Sequence, residues 1–398
     1  MSSLEAQFAR HLAWTSDGPL GLTVERAEGP FIELADGRRL IDFISGIAVS
    51  SLGHRHPRVV EAVKAQVDRH LHVMVYGEFI QQPQVAFAAR LAAQLPPALQ
   101  VVYFTMSGTE ANEGALKLAK KYTGRTKMIA FERSYHGDTH GALSVTGRSV
   151  YQDPYRPLLP DVVFLPFNDI DALAAIDAAT ACVITEPIQG EGGIIVPSAA
   201  WMQALRRRCT EAGALLIFDE IQTGFGRTGT LFAFESFEGF DVVPDVMTVA
   251  KAMAGGMPLG AFIASPEIFA TFRRDPPLSH VTTFGGHPVS CAAALATLQV
   301  LLEEDLPARA RQLETRVRAR LAHPLIRDLR GRGAMLGMEL VDQAVTERVV
   351  RRCLERGLLL GWTLHSDTLV RLAPPLNIPF DVLDTALGII MEALRAME

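Results

Sequence analysis

The chain has 398 residues, of which 48% are hydrophobic, so it can bury one or two large cores, and disorder is excluded for most of it. Its 44 acidic and 38 basic side chains give a net charge of −6. Because the basic residues are spread along the chain, a nucleic-acid-binding protein is disfavoured. No signal-peptide pattern and no membrane-length apolar stretch is found, so we expect a cytoplasmic protein. The four widely spaced cysteines are predicted to be buried free thiols.

Residues 1–57 are predicted to form an N-terminal arm that contributes to a small domain. The arm contains a hairpin, FIELADGRRLIDF, whose turn is supplied by Asp36 and Gly37. In residues 58–287, helical stretches alternate with seven short apolar runs: VVYFTM, KMIAFE, VVFLP, ACVITEP, ALLIFDE, VMTVA and AFIA. Strands separated by helices are typical of a largely parallel sheet covered on both faces, which predicts a large α/β domain.

The C-terminal part, residues 288–398, is predicted to be a smaller α+β domain. Its pattern gives two helices, then the segment RGRGAMLGMEL, a helix near 345–356, two short strands and a closing helix. In open α/β sheets, ligands bind beyond the carboxyl ends of the strands. Candidate site residues are therefore sought directly after each apolar run of the large domain.

A helix start follows the first of these strands. Ser107 and Glu110 have the spacing of a capping box. Together with Gly108 and Thr109, the same helix start could bind an anion such as phosphate. The cap alone would explain the serine and the glutamate, so both interpretations stay open at this point.

Two familiar nucleotide-binding patterns are excluded. The pair Asp219 and Glu220 could be taken for the magnesium site of an ATPase, but that class needs a phosphate loop with a Gly-Lys pair, and none of the six lysines follows a glycine. The glycines of GFGRTG match a dinucleotide fingerprint by letters. Because they follow a polar segment and lead into TLFAFE instead of opening a helix, nicotinamide or flavin binding is disfavoured.

Lys251 closes the run VMTVA and precedes a glycine-rich segment. A lysine at the end of a buried strand is costly unless it is paired or used covalently, so Lys251 is a candidate Schiff-base nucleophile. The alternative is a side chain that simply reaches solvent. An aspartate and a lysine at strand ends, together with a helix-start phosphate site, are the parts that hold pyridoxal phosphate.

From GPFIELADGRRLIDFISGIAV to VRLAPPL, the sequence resembles the class III, or subgroup II, pyridoxal-phosphate aminotransferases, which include ornithine, acetylornithine and 4-aminobutyrate aminotransferases. The motifs that carry the resemblance are LGHRHP, SGTEAN, YHG, EPIQGEGG, DEIQTGFGRTG, KAMAGGMPLGA and TTFGGHP. The resemblance implies fold type I, in which a large domain with a mostly parallel seven-stranded sheet accompanies a smaller α+β domain. It also implies a homodimer with shared active sites, and a higher oligomer stays open.

The resemblance assigns the cofactor-binding residues by position. Lys251 would form the Schiff base with pyridoxal 5′-phosphate, and Asp219 would keep the pyridine nitrogen protonated. Gln222 would bind the ring hydroxyl oxygen, while Tyr135 would stack on the ring with support from His136. The phosphate would be held by residues of two motifs: Ser107, Gly108 and Thr109 of one subunit, and Thr283 of the partner subunit.

Two further positions imply the acceptor. Arg371 matches the arginine with which this family binds the α-carboxylate of glutamate and 2-oxoglutarate. Glu191 matches the acidic gate that pairs with this arginine when a donor has no carboxylate beside its reacting amine. Together they predict a terminal amine as donor and 2-oxoglutarate as acceptor, although either residue alone could be a surface ion pair. Glu186 is expected to be a structural acid near the same pocket.

The donor is less well defined because Asp138 departs from the family pattern. The ornithine, acetylornithine and 4-aminobutyrate enzymes usually have an arginine here that binds the donor's distal carboxylate, and an aspartate would repel it. The diaminopelargonate aminotransferases share YHGDT but lack the QGEGG gate. We therefore expect a donor with a neutral or cationic far end, such as a diamine or a basic amino acid. Other possible pocket residues, or ordinary packing, are Trp14, Ile47, Val49 and Tyr76.

Two other functional classes stay open. A pyridoxal-phosphate enzyme of the same fold could perform racemase, mutase, decarboxylase or lyase chemistry, but the Glu191 and Arg371 pair argues against it. A non-catalytic binding protein with a degenerate site is disfavoured by the intact Lys251, Asp219 and Gln222. The histidines of GHRHP have no third ligand at suitable spacing, so a metal site is not expected.

Overall fold

The structure is a computed structural model that describes residues 3–237, 242–362 and 366–397. Its strands are β1 (Val24–Glu28), β2 (Phe31–Leu34), β3 (Arg39–Asp42), β4 (Val101–Thr105), β5 (Lys127–Phe131), β6 (Val162–Leu165), β7 (Thr180–Thr185), β8 (Leu215–Asp219), β9 (Val246–Val249), β10 (Gly260–Ala264), β11 (Ile326–Arg332), β12 (Met335–Leu340), β13 (Leu358–Leu359), β14 (Gly361–Trp362) and β15 (Leu369–Leu372).

The helices are α1 (Leu4–His11), α2 (Ser45–Ala48), α3 (Pro57–Arg69), α4 (Gln82–Ala92), α5 (Gly108–Thr123), α6 (His140–Ser144), α7 (Ser149–Gln152), α8 (Ala199–Ala212), α9 (Pro266–Ala270), α10 (Pro288–Glu303), α11 (Leu306–Arg320), α12 (Gln343–Glu355) and α13 (Phe380–Arg395). Short 3₁₀ turns occur at Asp153–Tyr155, Asp171–Ala175, Ala233–Ser236, Lys251–Ala254 and Thr271–Arg273. Within the described residues, no helix combines the length and the apolar character needed to cross a bilayer.

The central sheet has seven strands in the order β4-β10-β9-β8-β7-β5-β6. Strand β10 runs antiparallel to its neighbours β4 and β9, while the pairs from β9 to β6 are parallel. Each of the seven apolar runs forms one of these strands. Every residue of β7, β8, β9 and β10 is buried, as a sheet covered on both faces requires. The predicted α/β class and the mostly parallel sheet are confirmed.

The N-terminal arm joins the C-terminal part of the chain through a second sheet, β1-β2-β3-β13. Strands β2 and β3 form the predicted hairpin, and in its turn the Arg38 backbone N–H donates to Asp36 Oδ1 at 3.0 Å. Strand β3 runs parallel to β13, with Ile41 opposite Leu358 and Asp42 opposite Leu359. The division of the chain at residues 57 and 287 stays a prediction.

The C-terminal part contains a third, antiparallel sheet with the order β11-β12-β15-β14. Three short strands follow α12, where the sequence predicted two. The apolar stretch around Leu359 is divided because β13 pairs with β3 of the arm, whereas β14 pairs with β15. A local pattern could not reveal this, since the partners of the two halves lie in different sheets.

The four cysteines are buried free thiols, as predicted. Burial raises the pKa of Cys182, Cys209 and Cys353 to about 12 and raises that of Cys291 as well. Because the thiolate is the reactive form, these side chains are inert at neutral pH and act as small apolar packing groups.

Two helical glycines provide a test of the packing around the central sheet. A Cβ added at Gly114 of α5 would overlap the ring of Phe262 on β10, whereas one added at Gly388 of α13 would meet no atom within 4 Å. Gly114→Ala should lower the free energy of unfolding by about 1–3 kcal/mol because it overpacks the core. Gly388→Ala should raise it by about 0.5–1 kcal/mol because alanine loses less backbone entropy.

Urea denaturation of both variants beside the wild type measures the two effects. A Gly114→Ala variant that is as stable as the wild type, or more stable, would contradict the packing of α5 against β10.

Candidate active site

A cavity of about 650 Å³ opens at the carboxyl edge of the central sheet. It lies beyond the ends of β4, β7, β8 and β9, where a parallel sheet directs polar side chains. The predicted site residues that line it are Ser107, Gly108, Thr109, Tyr135, His136, Asp138, Glu186, Glu191, Asp219, Gln222 and Lys251. The two predicted residues outside this cavity are Thr283 and Arg371.

Asp219 is the buried anion of this cavity and is 4% exposed. Its Oδ2 accepts hydrogen bonds from His136 Nδ1 at 2.7 Å and from Asn112 Nδ2 at 2.9 Å, and its Oδ1 accepts from the Ile221 backbone N–H at 3.1 Å. Donors of this kind compensate the cost of burying a carboxylate. His136 therefore orients Asp219 in addition to lying beside Tyr135.

Sequence reasoning missed Asn112. Its side chain is fully buried in the second turn of α5 and donates to the His136 carbonyl at 2.7 Å as well as to Asp219. The available signal was an asparagine inside a helix, where its side chain competes with the backbone and is disfavoured without a tertiary partner. The SGTEAN motif thus supplies the Asn112 hydrogen bond to Asp219 as well as the start of α5.

Lys251 begins the 3₁₀ turn after β9 and has a φ of +43°. This left-handed conformation is uncommon for a residue with a side chain, and such strain clusters at functional sites. Burial lowers the pKa of Lys251, although Glu191, Asp219 and Glu186 oppose the effect. A larger fraction of its amine is therefore neutral at physiological pH, which is the nucleophilic form.

The helix start predicted as a phosphate site lies at one end of the cavity. Ser107 caps α5 by accepting from the Glu110 N–H at 3.3 Å, and Glu110 Oε2 accepts from the Met106 N–H at 2.7 Å. The first turn of a helix leaves N–H groups without intrahelical partners, here next to the Thr109 hydroxyl. Gly137, with a φ of +124°, allows the close approach to Thr109, because a Cβ there would overlap the threonine hydroxyl.

Tyr135 and Asp138 form a pair on the cavity wall, with the Tyr135 hydroxyl donating to Asp138 Oδ2 at 2.8 Å. Burial and the Asp138 hydrogen bond raise the pKa of Tyr135, so the phenol stays protonated. Glu186 accepts from the Tyr135 N–H at 3.2 Å and the Gly190 N–H at 2.8 Å. Burial raises the pKa of Glu186 to about 7. It holds the segments that carry Tyr135 and Glu191 at their present spacing.

Arg371 and Glu191 form a buried ion pair in which Arg371 Nη2 lies 2.5 Å from Glu191 Oε1. They are 4% and 5% exposed, so a surface ion pair is excluded. Gln222 Nε2 donates to the same oxygen at 3.2 Å. The pair lines a second cavity of about 440 Å³, which shares Tyr135 and Lys251 with the wall of the first.

Aliphatic side chains dominate this second cavity. Ile47 lines it and Val49 lines the first, so two of the four open candidates do face the site. Trp14 is 47% exposed and lies against Phe8, while Tyr76 lines a groove on another face of the molecule.

Thr283 is exposed and lies in the loop before α10, outside both cavities. It adjoins a groove with exposed apolar side chains. The groove, called the apolar patch below, is lined by Tyr76, Phe79, Ile80 and Val85 of one segment and by Thr282 and Gly285 of the other. The two segments of the patch are joined by Gln84 Nε2, which donates to the Gly286 carbonyl at 2.7 Å.

The cavity suits pyridoxal 5′-phosphate. The start of α5 lines the cavity. The Asp219 carboxylate and the Lys251 amine, whose pKa is lowered by burial, line it as well. Two buried polar atoms at the cavity, Gln222 Oε1 and His136 Nε2, have no hydrogen-bond partner among the described residues. Buried polar atoms are nearly always satisfied, so these two atoms indicate a place for a polar ligand.

The sequence comparisons identify the family. A family model described as aminotransferase class-III matches residues 13–394, and the chain belongs to this family. The acetylornithine aminotransferase of Methanopyrus kandleri is 44% identical over 379 residues, which cover 94% of this chain and 95% of that protein. The acetylornithine aminotransferase of Gloeobacter violaceus is 41% identical over 402 residues, which cover 98% and 96%.

Solved structures agree with this assignment. The ornithine aminotransferase of Toxoplasma gondii, whose crystals contain pyridoxal phosphate at the active site, superposes with a TM-score of 0.89 at 29% identity, covering 98% of this chain and 93% of that one. An (S)-enantioselective omega-transaminase from Thermomicrobium roseum gives 0.89 at 30% identity, covering 98% and 97%. The chain is therefore a fold type I aminotransferase with pyridoxal 5′-phosphate as its cofactor.

Proposed function

We propose that this aminotransferase moves the terminal amine of a small amine, or of a basic or ω-amino acid, to 2-oxoglutarate, giving an aldehyde and glutamate. The observation that carries the proposal is the buried pair of Glu191 and Arg371 beside Lys251. While the pair is closed, Arg371 is neutralised and a donor without a carboxylate beside its amine fits. When it opens, the guanidinium fork binds the carboxylate of 2-oxoglutarate. One site serves both substrates in turn, as a ping-pong mechanism requires.

In the proposed reaction, Lys251 removes the proton from the amine-bearing carbon of the donor. When bound, pyridoxal phosphate supplies the electron sink that makes the proton on the amine-bearing carbon removable. Because burial lowers its pKa, Lys251 would supply the neutral amine that bonds covalently to the cofactor; once the donor's amine has replaced it there, the freed amine would take up that proton and return it. Asp219, held by Asn112 and His136, keeps the pyridine nitrogen protonated.

The remaining residues of the large cavity orient the cofactor. Ser107, Gly108 and Thr109 hold its phosphate at the start of α5, where N–H groups and the helix dipole favour an anion. Tyr135 would stack on the ring, and Gln222 would bond to the ring hydroxyl oxygen. This arrangement accounts for the unpartnered Oε1 of Gln222, because the phenolic hydroxyl can donate to it.

The donor carries a neutral or cationic far end. The relatives named acetylornithine aminotransferase support a donor whose amine ends a carbon chain. Asp138, partnered by the Tyr135 hydroxyl on the cavity wall, lies where a donor carboxylate would need a cation. A like charge at this position disfavours such a carboxylate, so we infer that diamines and basic amino acids are preferred over 4-aminobutyrate.

Lys251→Ala tests the cofactor chemistry. The variant should lose the visible absorbance of lysine-bound pyridoxal phosphate, and transamination should fall about 10³-fold or more because both nucleophile and base are removed. Absorbance spectra with added cofactor and an assay of glutamate formation measure the two effects. The exposed Lys64→Ala is the matched control and should leave both unchanged.

An unaltered spectrum in Lys251→Ala would exclude this lysine as the attachment site. The wild-type assay also separates the alternative chemistries. Transamination forms one glutamate from 2-oxoglutarate for each donor consumed, whereas racemase, mutase, decarboxylase or lyase chemistry converts the donor without forming glutamate.

Asp138→Arg tests the donor assignment with putrescine and 4-aminobutyrate, which share a four-carbon chain but differ in the charge of the far end. Reversing the charge should change the interaction with a unit charge nearby by about 2 kcal/mol in water-like surroundings. Because the two donors carry opposite far-end charges, their changes add to about 4 kcal/mol, and the ratio of their kcat/KM values should move by up to about 10³-fold towards 4-aminobutyrate.

Asp138→Asn should shift this ratio part of the way, because it removes the charge and keeps the shape. The exposed Asp171→Arg makes the same charge change elsewhere and should leave the ratio at the wild-type value. If Asp138→Arg does so too, the donor assignment is wrong.

We further propose that two copies associate through the apolar patch and that Thr283 of each subunit completes the partner's phosphate site. Ile80 is 95% exposed in the single chain and Phe79 is 53% exposed, which is unusual for large apolar side chains that adjoin one another. A cytoplasmic location, expected from the sequence, stays a prediction.

Ile80→Asp should convert a dimer to a monomer, because it places a charge in an apolar interface. It should also weaken pyridoxal phosphate binding about tenfold, since one phosphate contact is lost with the partner. Sedimentation velocity and cofactor titration measure the two effects. Val150→Asp, at an exposed position of α7, is the control and should stay dimeric with normal affinity. A wild-type monomer would refute this proposal.

A further inference from the structure

The GFGRTG segment after β8 contains a buried arginine that the proposed chemistry leaves without a role. Arg227 is fully buried. Its Nη1 donates to the carbonyls of Pro374 at 2.6 Å and Ala334 at 3.2 Å, and its Nη2 donates to Ser51 Oγ at 2.8 Å. The side chain thus joins the large domain to the arm and to the C-terminal part. An arginine is costly to bury, and burial lowers its pKa to about 10.

The two carbonyls lie just beyond the strands that hold Arg371 in place: Ala334 directly precedes β12, and Pro374 lies two residues after β15. In the register of β12 and β15, Leu336 lies opposite Leu372 and Gly337 lies opposite Arg371. Continuing this antiparallel register places Ala334 opposite Pro374. Proline has no N–H, so the ladder of hydrogen bonds cannot continue there. The Arg227 guanidinium instead donates to the carbonyls of Ala334 and Pro374 and so holds the two strands together at this end.

The backbone of the same segment is fixed as well. The Ala334 N–H donates to the Arg227 carbonyl at 2.9 Å. Gly333, with a φ of +59°, permits this approach, because a Cβ there would lie 2.5 Å from the Thr228 carbonyl carbon. The segment also follows Gln222, which donates to Glu191. Arg227 therefore connects the segment after β8, whose Gln222 bonds to Glu191, to strands β12 and β15, which position Arg371.

We propose that Arg227 is a positioning residue for carboxylate recognition, which holds β12 and β15 so that Arg371 faces Glu191 and the acceptor. The inference rests on the proposed function, in which Arg371 binds 2-oxoglutarate. Arg371 lies three residues from Pro374, roughly 10 Å along the strand. A small shift of the strand end moves the guanidinium fork, and displacements of about 1 Å are costly in sites that depend on orientation.

The test measures binding and half-reactions separately in the holoenzyme. Glutarate, a dicarboxylate without a reactive carbonyl, is titrated by calorimetry. Arg227→Gln should raise its Kd, and the KM for 2-oxoglutarate, about tenfold. The first half-reaction with putrescine, which needs no carboxylate contact, should stay within about twofold of the wild type. Arg227→Lys should restore part of the affinity, since an ammonium group keeps one of the three contacts.

Ser51→Ala keeps the test valid if Arg227→Gln fails to fold, because it removes one acceptor and creates little space. It should raise the glutarate Kd by a smaller factor in the same direction. Arg332→Gln is the matched control: the Arg332 backbone pairs with Met335 of β12, but its guanidinium donates to Ser236 and not to the carbonyls of Ala334 and Pro374. Its glutarate affinity should be normal.

Equal glutarate affinities in the wild type, Arg227→Lys and Ser51→Ala would overturn the inference, as would an equal loss in both half-reactions. If the wild type itself binds no glutarate and forms no glutamate from 2-oxoglutarate, the proposed acceptor fails first. The two failures are therefore distinguishable.

Discussion

The active site depends on keeping two acidic side chains inside the core. Asp219 ends β8, Glu186 directly follows the neighbouring strand β7, and they are 4% and 5% exposed; a buried carboxyl group without hydrogen-bond partners is costly. The donors come from α5, from the segment after β5 and from the loops after β7 and β8. They converge only because parallel strands end at one edge. The strand order that forms the core thus also brings together the hydrogen-bond donors that offset the free-energy cost of burying these two acidic side chains.

The carboxylate-binding region follows a different principle, because its two charges come from separate sheets. Glu191 follows the central strand β7, and Arg371 lies on β15 between β12 and β14. If this pair opens as proposed, each partner must stay stabilised when the other is absent. Gln222 remains with Glu191, while the two neighbouring strands hold the Arg371 backbone. The ion pair can therefore act as a reversible contact within a rigid frame.

The sequence predicts the local features of this protein well and the distant ones poorly. All seven strands of the central sheet follow from short apolar runs, and the capping box follows from the spacing of Ser107 and Glu110. The roles of Asn112 and Arg227 were not predictable, because their partners lie far away along the chain. The split of the stretch around Leu359 between two sheets has the same cause. The resemblance to a family supplied the remaining site residues.

The pairing of the arm with β13 and Ala373 constrains the order in which the parts of the protein can fold. Ser45 Oγ donates to the Ala373 carbonyl, 328 positions later, and β3 completes its sheet with β13. On the ribosome, the first 50 residues therefore emerge long before their partners exist, while the contiguous central sheet can already form. The arm can dock only after β13 and Ala373 have been synthesised. Docking of the arm is therefore expected to be a late step in folding.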